Sequence, residues 1–233
     1  MRIAIFSDIH GNKQALTSII EDIKNENIDE IICLGDTIGI GPNPKECMDI
    51  IIDNDIKMVL GNHELYYLEG TDIDDEMSEG EIIHQNWVKK QITDNQKQYL
   101  ENCSMTIEKE YNGKKILFEH FPINYNSKDR YPFHDLNIVK DGSIKKIIDE
   151  LNYDLIFIGH EHNEFCIDNK IYDIGSSGCR KNNKTRYTIL NTENLNIETK
   201  IINFDRERFI KDLFKCEYPE RNLKSKVFFG VEI

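Results

Sequence analysis

Side chains that can ligate a metal or move a proton stand in five short segments of this sequence, each directly after a run of apolar residues. Asp8 and His10 lie in Ser7-Asp8-Ile9-His10-Gly11-Asn12, and Asp36 lies in Gly35-Asp36-Thr37. Asn62, His63 and Glu64 follow Gly61, His120 closes the stretch Lys114–Glu119, and His160 and His162 follow Leu155–Ile158. Of the 7 histidines, only His84 and His134 fall outside these segments, and both read as surface or packed residues. A single Asp after a strand is ordinarily a turn or cap residue, but that reading would have to succeed separately at every segment. Oxygen and imidazole donors without a thiolate suit Mn, Fe, Co, Ni or Zn, whereas Mg or Ca cages are richer in oxygen. The set is too large for one tetrahedral site. Two ions about 3.5–4 Å apart, sharing a carboxylate, would use it and supply an activated water as nucleophile.

Such donors need a scaffold that brings strand ends together. Arg2–Ser7 predicts a buried strand, and Leu16, Ile19, Ile20 and Ile23 then recur at helical spacing. Alternation along an extended chain would put Asp8 and His10 on one side of it. Glu30–Leu34 predicts a second strand, followed by a Gly-rich loop and a helix opened by Asn43-Pro44-Lys45-Glu46. Here Asn43 is the expected cap, Pro44 suits the first helical position, and Glu46 reaches back. Ile56–Leu60 predicts a third strand. From Glu64 to Asn102 the strand signal lapses, and helices are expected over Glu81–Lys90 and Thr93–Asn102, the second with a Thr93…Gln96 capping box.

Met105–Tyr111 and Lys114–Glu119 predict a hairpin around Asn112-Gly113. Ile144, Ile147, Ile148 and Leu151 mark one helix face ahead of a strand at Leu155–Ile158. Later strands are expected at Glu164–Ile167, Lys170–Asp173, Arg186–Asn191 and Leu195–Ile202, then a helix from Asp205 that ends before Pro219. Strands alternating with helices indicate an α/β fold, in which successive strand ends meet at one crevice. With no internal repeat or low-complexity linker, residues 1–233 read as one domain with a helical insertion at about 64–104.

The 233 residues carry a net charge of −13, with 39% hydrophobic and 30% charged side chains. That composition fits a globular chain and argues against extended nucleic acid as a partner, which needs clustered Lys and Arg. The 6 cysteines are scattered and form no C-x-x-C pair, so packing thiols in a cytoplasmic protein are expected rather than disulfides or zinc fingers. No apolar run approaches a membrane span and the chain opens on a strand-like segment, so neither secretion nor insertion is expected. Two divalent cations beside Asp8 and Asp36 would make the site locally cationic within an acidic chain.

Taken in order, Asp8-Ile9-His10, Gly35-Asp36, Gly61-Asn62-His63-Glu64, the isolated His120 and Gly159-His160-Glu161-His162 resemble the calcineurin-like metallophosphoesterase superfamily. The Gly-rich stretch from Gly35 to Pro44 resembles its small prokaryotic phosphodiesterase branch, as do Trp87 before a capped helix and the late Asp205…Pro219…Gly230. The resemblance implies a four-layer αββα fold, a β-sandwich flanked by helices. It implies that Asp8, His10 and His162 bind one metal and Asn62, His120 and His160 a second, with Asp36 bridging. A metal-bridging hydroxide would attack phosphorus in line, while His63, oriented by Glu64, protonates the leaving oxygen. Gly39 and Leu60 stand where the superfamily's protein phosphatases carry an Asp and an Arg, which disfavours protein phosphatase activity. Phe121 and Asp173-Ile174-Gly175-Ser176 also depart from the common pattern, at positions that bear on substrate fit.

The expected activity is dinuclear metal-dependent hydrolysis of a small phosphorylated molecule, as a phosphodiesterase or phosphatase, with nucleotides among the candidates. The alternative is a non-catalytic metal-binding scaffold of the same fold acting through protein partners; the presence of His63 favours the enzyme. A nuclease would carry a larger capping domain and a basic groove. The basic run Arg180-Lys181…Lys184…Arg186 reads as a solvated loop ahead of a substrate contact. Tyr66, Tyr67 and Trp87 read as packing residues ahead of base-stacking ones.

Overall fold

In chain order the elements of the computed structural model, which describes residues 1–74 and 76–233, begin with β1 (Arg2–Phe6), α1 (Lys13–Ile23), β2 (Glu30–Cys33), α2 (Pro44–Asp53) and β3 (Lys57–Met58). Three helices follow: α3 (Asn62–Glu69), α4 (Glu79–Gln91) and α5 (Asp94–Glu101). Then come β4 (Thr106–Tyr111), β5 (Lys114–Glu119), α6 (Asn137–Lys140), α7 (Ile144–Asp149), β6 (Leu155–Ile158), β7 (Glu164–Ile167) and β8 (Ile171–Ile174). The chain closes with β9 (Lys184–Asn191), β10 (Asn196–Asn203), α8 (Arg206–Lys215) and α9 (Arg221–Lys224).

β1 is apolar on both faces because both are covered. Ile3 and Ile5 join Ile32, Phe118 and Phe157 in an apolar layer shared by two sheets, while Ala4 and Phe6 pack with Leu16, Ile19 and Met48 of the helices outside. The two-residue period of a strand requires this division. α1 turns Ala15, Leu16, Ile19, Ile20 and Ile23 inward, and each fully buried Leu or Ile contributes about 1.5–3 kcal/mol. The first sheet has the order β10-β9-β1-β2-β3 and the second β4-β5-β6-β8-β7. Both are mixed: β1, β2 and β3 run parallel, as do β5, β6 and β8, while β9 and β4 pair antiparallel to β1 and β5. Helices cover the outer face of each sheet, α1 and α2 on one and α7 on the other. The α/β class and the layered arrangement therefore agree with expectation.

Three local expectations are corrected. The Asn43 side chain makes no cap bond, although Pro44 does open α2; its backbone N–H instead donates to Gly11 O. β3 is confined to Lys57–Met58, and Val59 makes only an isolated bridge to Ser104. Asp8 and His10 do not lie on an extended chain: their φ values are 54° and 47°. The N–H groups of Asp8, His10 and Gly11 donate to the carbonyls of Gly35, Asp36 and Thr37, so this loop coils against the loop after β2. The expected hairpin at Asn112-Gly113 and the Thr93–Gln96 capping box are both present. Among the described residues no helix is long and apolar enough to cross a membrane.

Candidate metal centre

The loops after β1, β2, β3, β5 and β6 converge because their strands run parallel within each sheet, so their ends open at the same edge. Asp8, His10, Asp36, Asn62 and His120 are buried there, with His160 and His162 at the rim. Asp8, His10, Asp36, His160 and His162 all take left-handed backbone conformations, with φ between 47° and 75°. Each costs about 1–3 kcal/mol and persists where surrounding structure enforces it, commonly at functional sites.

The donors form two groups, and Cys179 also stands within 4.8 Å of His10 and His162, as His63 does of His10 and Asp36. In one, His10 Nε2 lies 2.9 Å from His162 Nε2, and Asp8 Oδ1 lies 3.6 Å and 3.4 Å from these two nitrogens. In the other, His120 Nε2 stands 3.1 Å from both Asn62 Oδ1 and His160 Nδ1. Asp36 Oδ2 lies between them, 3.7 Å from His10 Nε2 and 3.3 Å from His120 Nε2. Donors arranged around one ion at about 2.1 Å stand about 3.0–3.4 Å apart; the second group's 3.1 Å spacings fall in that range, and the first group's 2.9–3.6 Å spacings straddle it. Asp8 Oδ1 is buried without a hydrogen-bond partner, as expected of an atom whose partner is a cation. His120 Nδ1 donates to Leu34 O at 2.7 Å, which fixes the ring and leaves the Nε2 lone pair for a metal. The residues present therefore include His and Asp groupings able to hold a divalent ion.

Burial works against the charge of both carboxylates, yet the surrounding imidazoles hold Asp8 and Asp36 below the usual range. Burial likewise works to lower His120, but the Asp36 carboxylate overrides it and lifts the imidazole to about 9. Burial, followed by the His120 charge, takes His160 down to about 4.

Glu64 departs from its expected role. Its carboxylate does not touch the His63 ring; it accepts from the backbone N–H groups of Asp36, Thr37, Gly61 and Ile38 at 2.8, 2.9, 3.0 and 3.2 Å. Glu64 thus ties the loop that carries Asp36 to the start of α3. Burial and the nearby Asp36 charge push its carboxyl up to about 7, against N–H donors that favour the ionised form. The loop fits only with glycine at position 61, where a Cβ would lie 2.3 Å from Asp36 Oδ1. Glu64→Gln is expected to lower the urea midpoint, at about 1–3 kcal/mol for each N–H left without an acceptor; an unchanged midpoint would contradict this.

His63 lies over the same edge, with its ring centroid 4.9 Å from that of His10 and its N–H donating to Asp36 Oδ1 at 3.0 Å. Its Nδ1 meets Gln85 Nε2 of α4 at 2.8 Å. A cleft of about 710 Å³ opens beside His63, Asn62 and His160, walled by Tyr66, Tyr131, Phe133 and Phe228. Tyr66 and Tyr131 stack with centroids 5.9 Å apart. Lys224, 6% exposed, also lines the cleft, 3.5 Å from Glu220. Gln85, Tyr131, Phe133, Lys224 and Phe228 carried no local sequence signal.

The remaining candidates sort plainly. His84 packs against Trp87 and Tyr218 and pairs with Pro219 O, whereas His134 lines the cleft. Tyr67 and Trp87 belong to apolar clusters. The basic run is engaged locally: Arg186 pairs with Glu164 at 2.5 Å, and Arg180 donates to the carbonyls of Lys184 and Ser176.

A sequence model of the calcineurin-like phosphoesterase family matches residues 1–164. An uncharacterized protein of Methanocaldococcus jannaschii is 32% identical, with 98% of each chain covered. A symmetrical bis(5'-nucleosyl)-tetraphosphatase of Haemophilus ducreyi is 37% identical over 71 residues, which is 29% of this chain and 26% of that enzyme. In fold, a metallophosphoesterase from Sphaerobacter thermophilus superposes with a TM-score of 0.73 at 21% identity, over 99% of this chain and 100% of that one. With a family match over residues 1–164, which carry the strands β1 to β6 and the loops after them, the chain belongs to the calcineurin-like phosphoesterase family and is a phosphoesterase.

Proposed function

We propose that the chain holds two divalent ions, one at Asp8, His10 and His162 and one at Asn62, His120 and His160, with Asp36 shared, and hydrolyses small phosphate esters. The observation that carries this reading is Asp36 Oδ2, which faces an imidazole of each donor group at 3.3 and 3.7 Å. Bound there, such ions supply an activated water and positive charge against the phosphoryl oxygens, in a chain whose net charge is otherwise −13. The donor set favours Mn, Fe, Co, Ni or Zn over Ca.

The protein's own part is positioning and proton transfer. The Asp36 loop, tied down by Glu64, keeps the two donor groups in register. His63 faces the cleft from the rim and hands a proton to the leaving oxygen as the P–O bond breaks. The aromatic wall of Tyr66, Tyr131, Phe133 and Phe228 accepts the organic part of the ester. Nucleotides are the leading substrate class, supported by that wall and by the partial likeness to the dinucleoside tetraphosphatase. Six free cysteines support a cytoplasmic setting.

Metal analysis of purified protein, joined to hydrolysis of bis(p-nitrophenyl) phosphate with and without Mn, tests the reading. About two ions per chain and ion-dependent turnover are expected. No bound ion and no hydrolysis with any divalent metal would overturn it. Dinucleoside polyphosphates, cyclic nucleotides and phosphomonoesters then resolve the substrate.

A further inference from the structure

The His63 imidazole is gripped at one atom. Among the described residues its ring makes one hydrogen bond, from Nδ1 to the Gln85 amide at 2.8 Å. Position 39 passes beneath the same nitrogen, where a Cβ would lie 2.2 Å from Nδ1 and 2.8 Å from Cε1. With the ring where it lies, a side chain at that position would have to displace it. A partner for Nδ1 has to come from another element, and α4 provides it.

Gln85 is well placed to hold a ring steady. It is 6% exposed and sits between His84 and Val88 on the buried side of α4, a helix whose start is pinned by the Ser78–Glu81 capping box. Its Oε1 is buried with no hydrogen-bond partner, so turning the amide over breaks no competing bond. The amide can donate through Nε2 to a bare Nδ1 or accept through Oε1 from Nδ1–H. Either way the ring plane is held while the other nitrogen, Nε2, is left for the substrate.

We propose that Gln85 is the positioning residue for His63, holding its imidazole through Nδ1 so that Nε2 meets the leaving-group oxygen in the cleft. This rests on the phosphoester-hydrolase reading of the site. As the P–O bond breaks, the imidazolium gives its Nε2 proton to the departing oxygen and keeps its Nδ1 proton on the Gln85 amide oxygen, so Gln85, although it lines the cleft, acts through the ring. Its effect must therefore grow with the leaving group's need for a proton.

The test compares bis(p-nitrophenyl) phosphate, whose leaving group departs readily as an anion, with diphenyl phosphate, whose leaving group needs the proton more. For Gln85→Leu, kcat on diphenyl phosphate is expected to fall about 10–100-fold, with a much smaller loss on the nitrophenyl ester and unchanged metal content. Gln85→Glu, which keeps the length and can accept from Nδ1–H, is expected to recover most of the diphenyl phosphate rate. Equal losses on both esters, or no loss on either, would overturn the positioning role while leaving the hydrolase reading intact. A wild-type protein that cleaves neither ester with any divalent ion overturns the hydrolase reading and this inference with it. Should Gln85→Leu fail to fold, ring-nitrogen NMR of the wild-type protein decides the matter: a hydrogen-bonded His63 Nδ1 supports the role, and a free one overturns it.

Discussion

Replacing His63 by alanine is expected to lower turnover about 10²–10⁴-fold, the usual contribution of a positioned general acid, while the ion content stays at the wild-type level. The separation follows from geometry. The His63 ring faces the cleft with Nδ1 on Gln85 and stands within 4.8 Å of the His10 and Asp36 donors, while its backbone N–H is what bonds Asp36. Losing the ring removes a proton donor and leaves the coordinating atoms where they were. The loss is expected to be smallest for the nitrophenyl ester and largest for esters of alcohols. Burial holds the imidazole well below its ordinary range, so the ring acts as an acid only once the negative charge of a bound phosphate ester restores its proton. A metal content that falls in step with activity would place His63 among the ligands, and an unchanged rate would remove its role.

Asp36→Asn is expected to act in the opposite order, through the ions. The amide keeps the shape, and its oxygen can still accept the His63 N–H, but it brings no charge to the point between His10 Nε2 and His120 Nε2. Even partners that only orient a ligand cost about 10–100-fold in metal affinity when removed; losing the shared carboxylate is expected to exceed that, with fewer than two ions retained and hydrolysis lost.

The wild-type pH dependence supplies a check on the same residue. His120 is lifted to about 9 by the Asp36 charge, so in ion-free protein at pH 7 it is protonated, and an ion must displace that proton. Apparent affinity should therefore rise with pH from about 7 towards 9, with proton release on binding. In Asp36→Asn the charge that raises His120 is gone, and the rise should move to lower pH. Calorimetric titration in two buffers of different ionisation enthalpy reads both the affinity and the protons. Equal affinity in wild type and variant would end the shared role of Asp36.

Much of the centre was legible from sequence because its donors lie within a few residues of strand ends. A buried strand announces itself through continuous apolar residues, and a glycine beside Asp36 or Asn62 marks a chain that must turn tightly. The order of the five segments then pointed to one site. Glu64 was visible as a residue, but its partners are backbone N–H groups of Asp36, Thr37, Ile38 and Gly61, and a backbone N–H has no letter in a sequence. The expectation was that Glu64 orients His63, whereas its carboxylate bonds four main-chain donors and so bears on the ring only through the loop and helix start that carry them. The extended reading of Asp8 and His10 failed similarly, because hydrogen bonds to the loop after β2 coil the segment.

Local spacing by itself determined the strand–helix alternation, while the family followed from the resemblance that the five segments carry. Only the tertiary structure decided what stands around them. Gln85 meets His63 across 22 positions, and the cleft wall draws Tyr66, Tyr131 and Phe228 from segments that share no periodicity. Such contacts depend on how α4 and the C-terminal segment pack over the sheet edge, and the packing energy that seats them is spread over many apolar side chains, none of which marks its neighbour in the sequence.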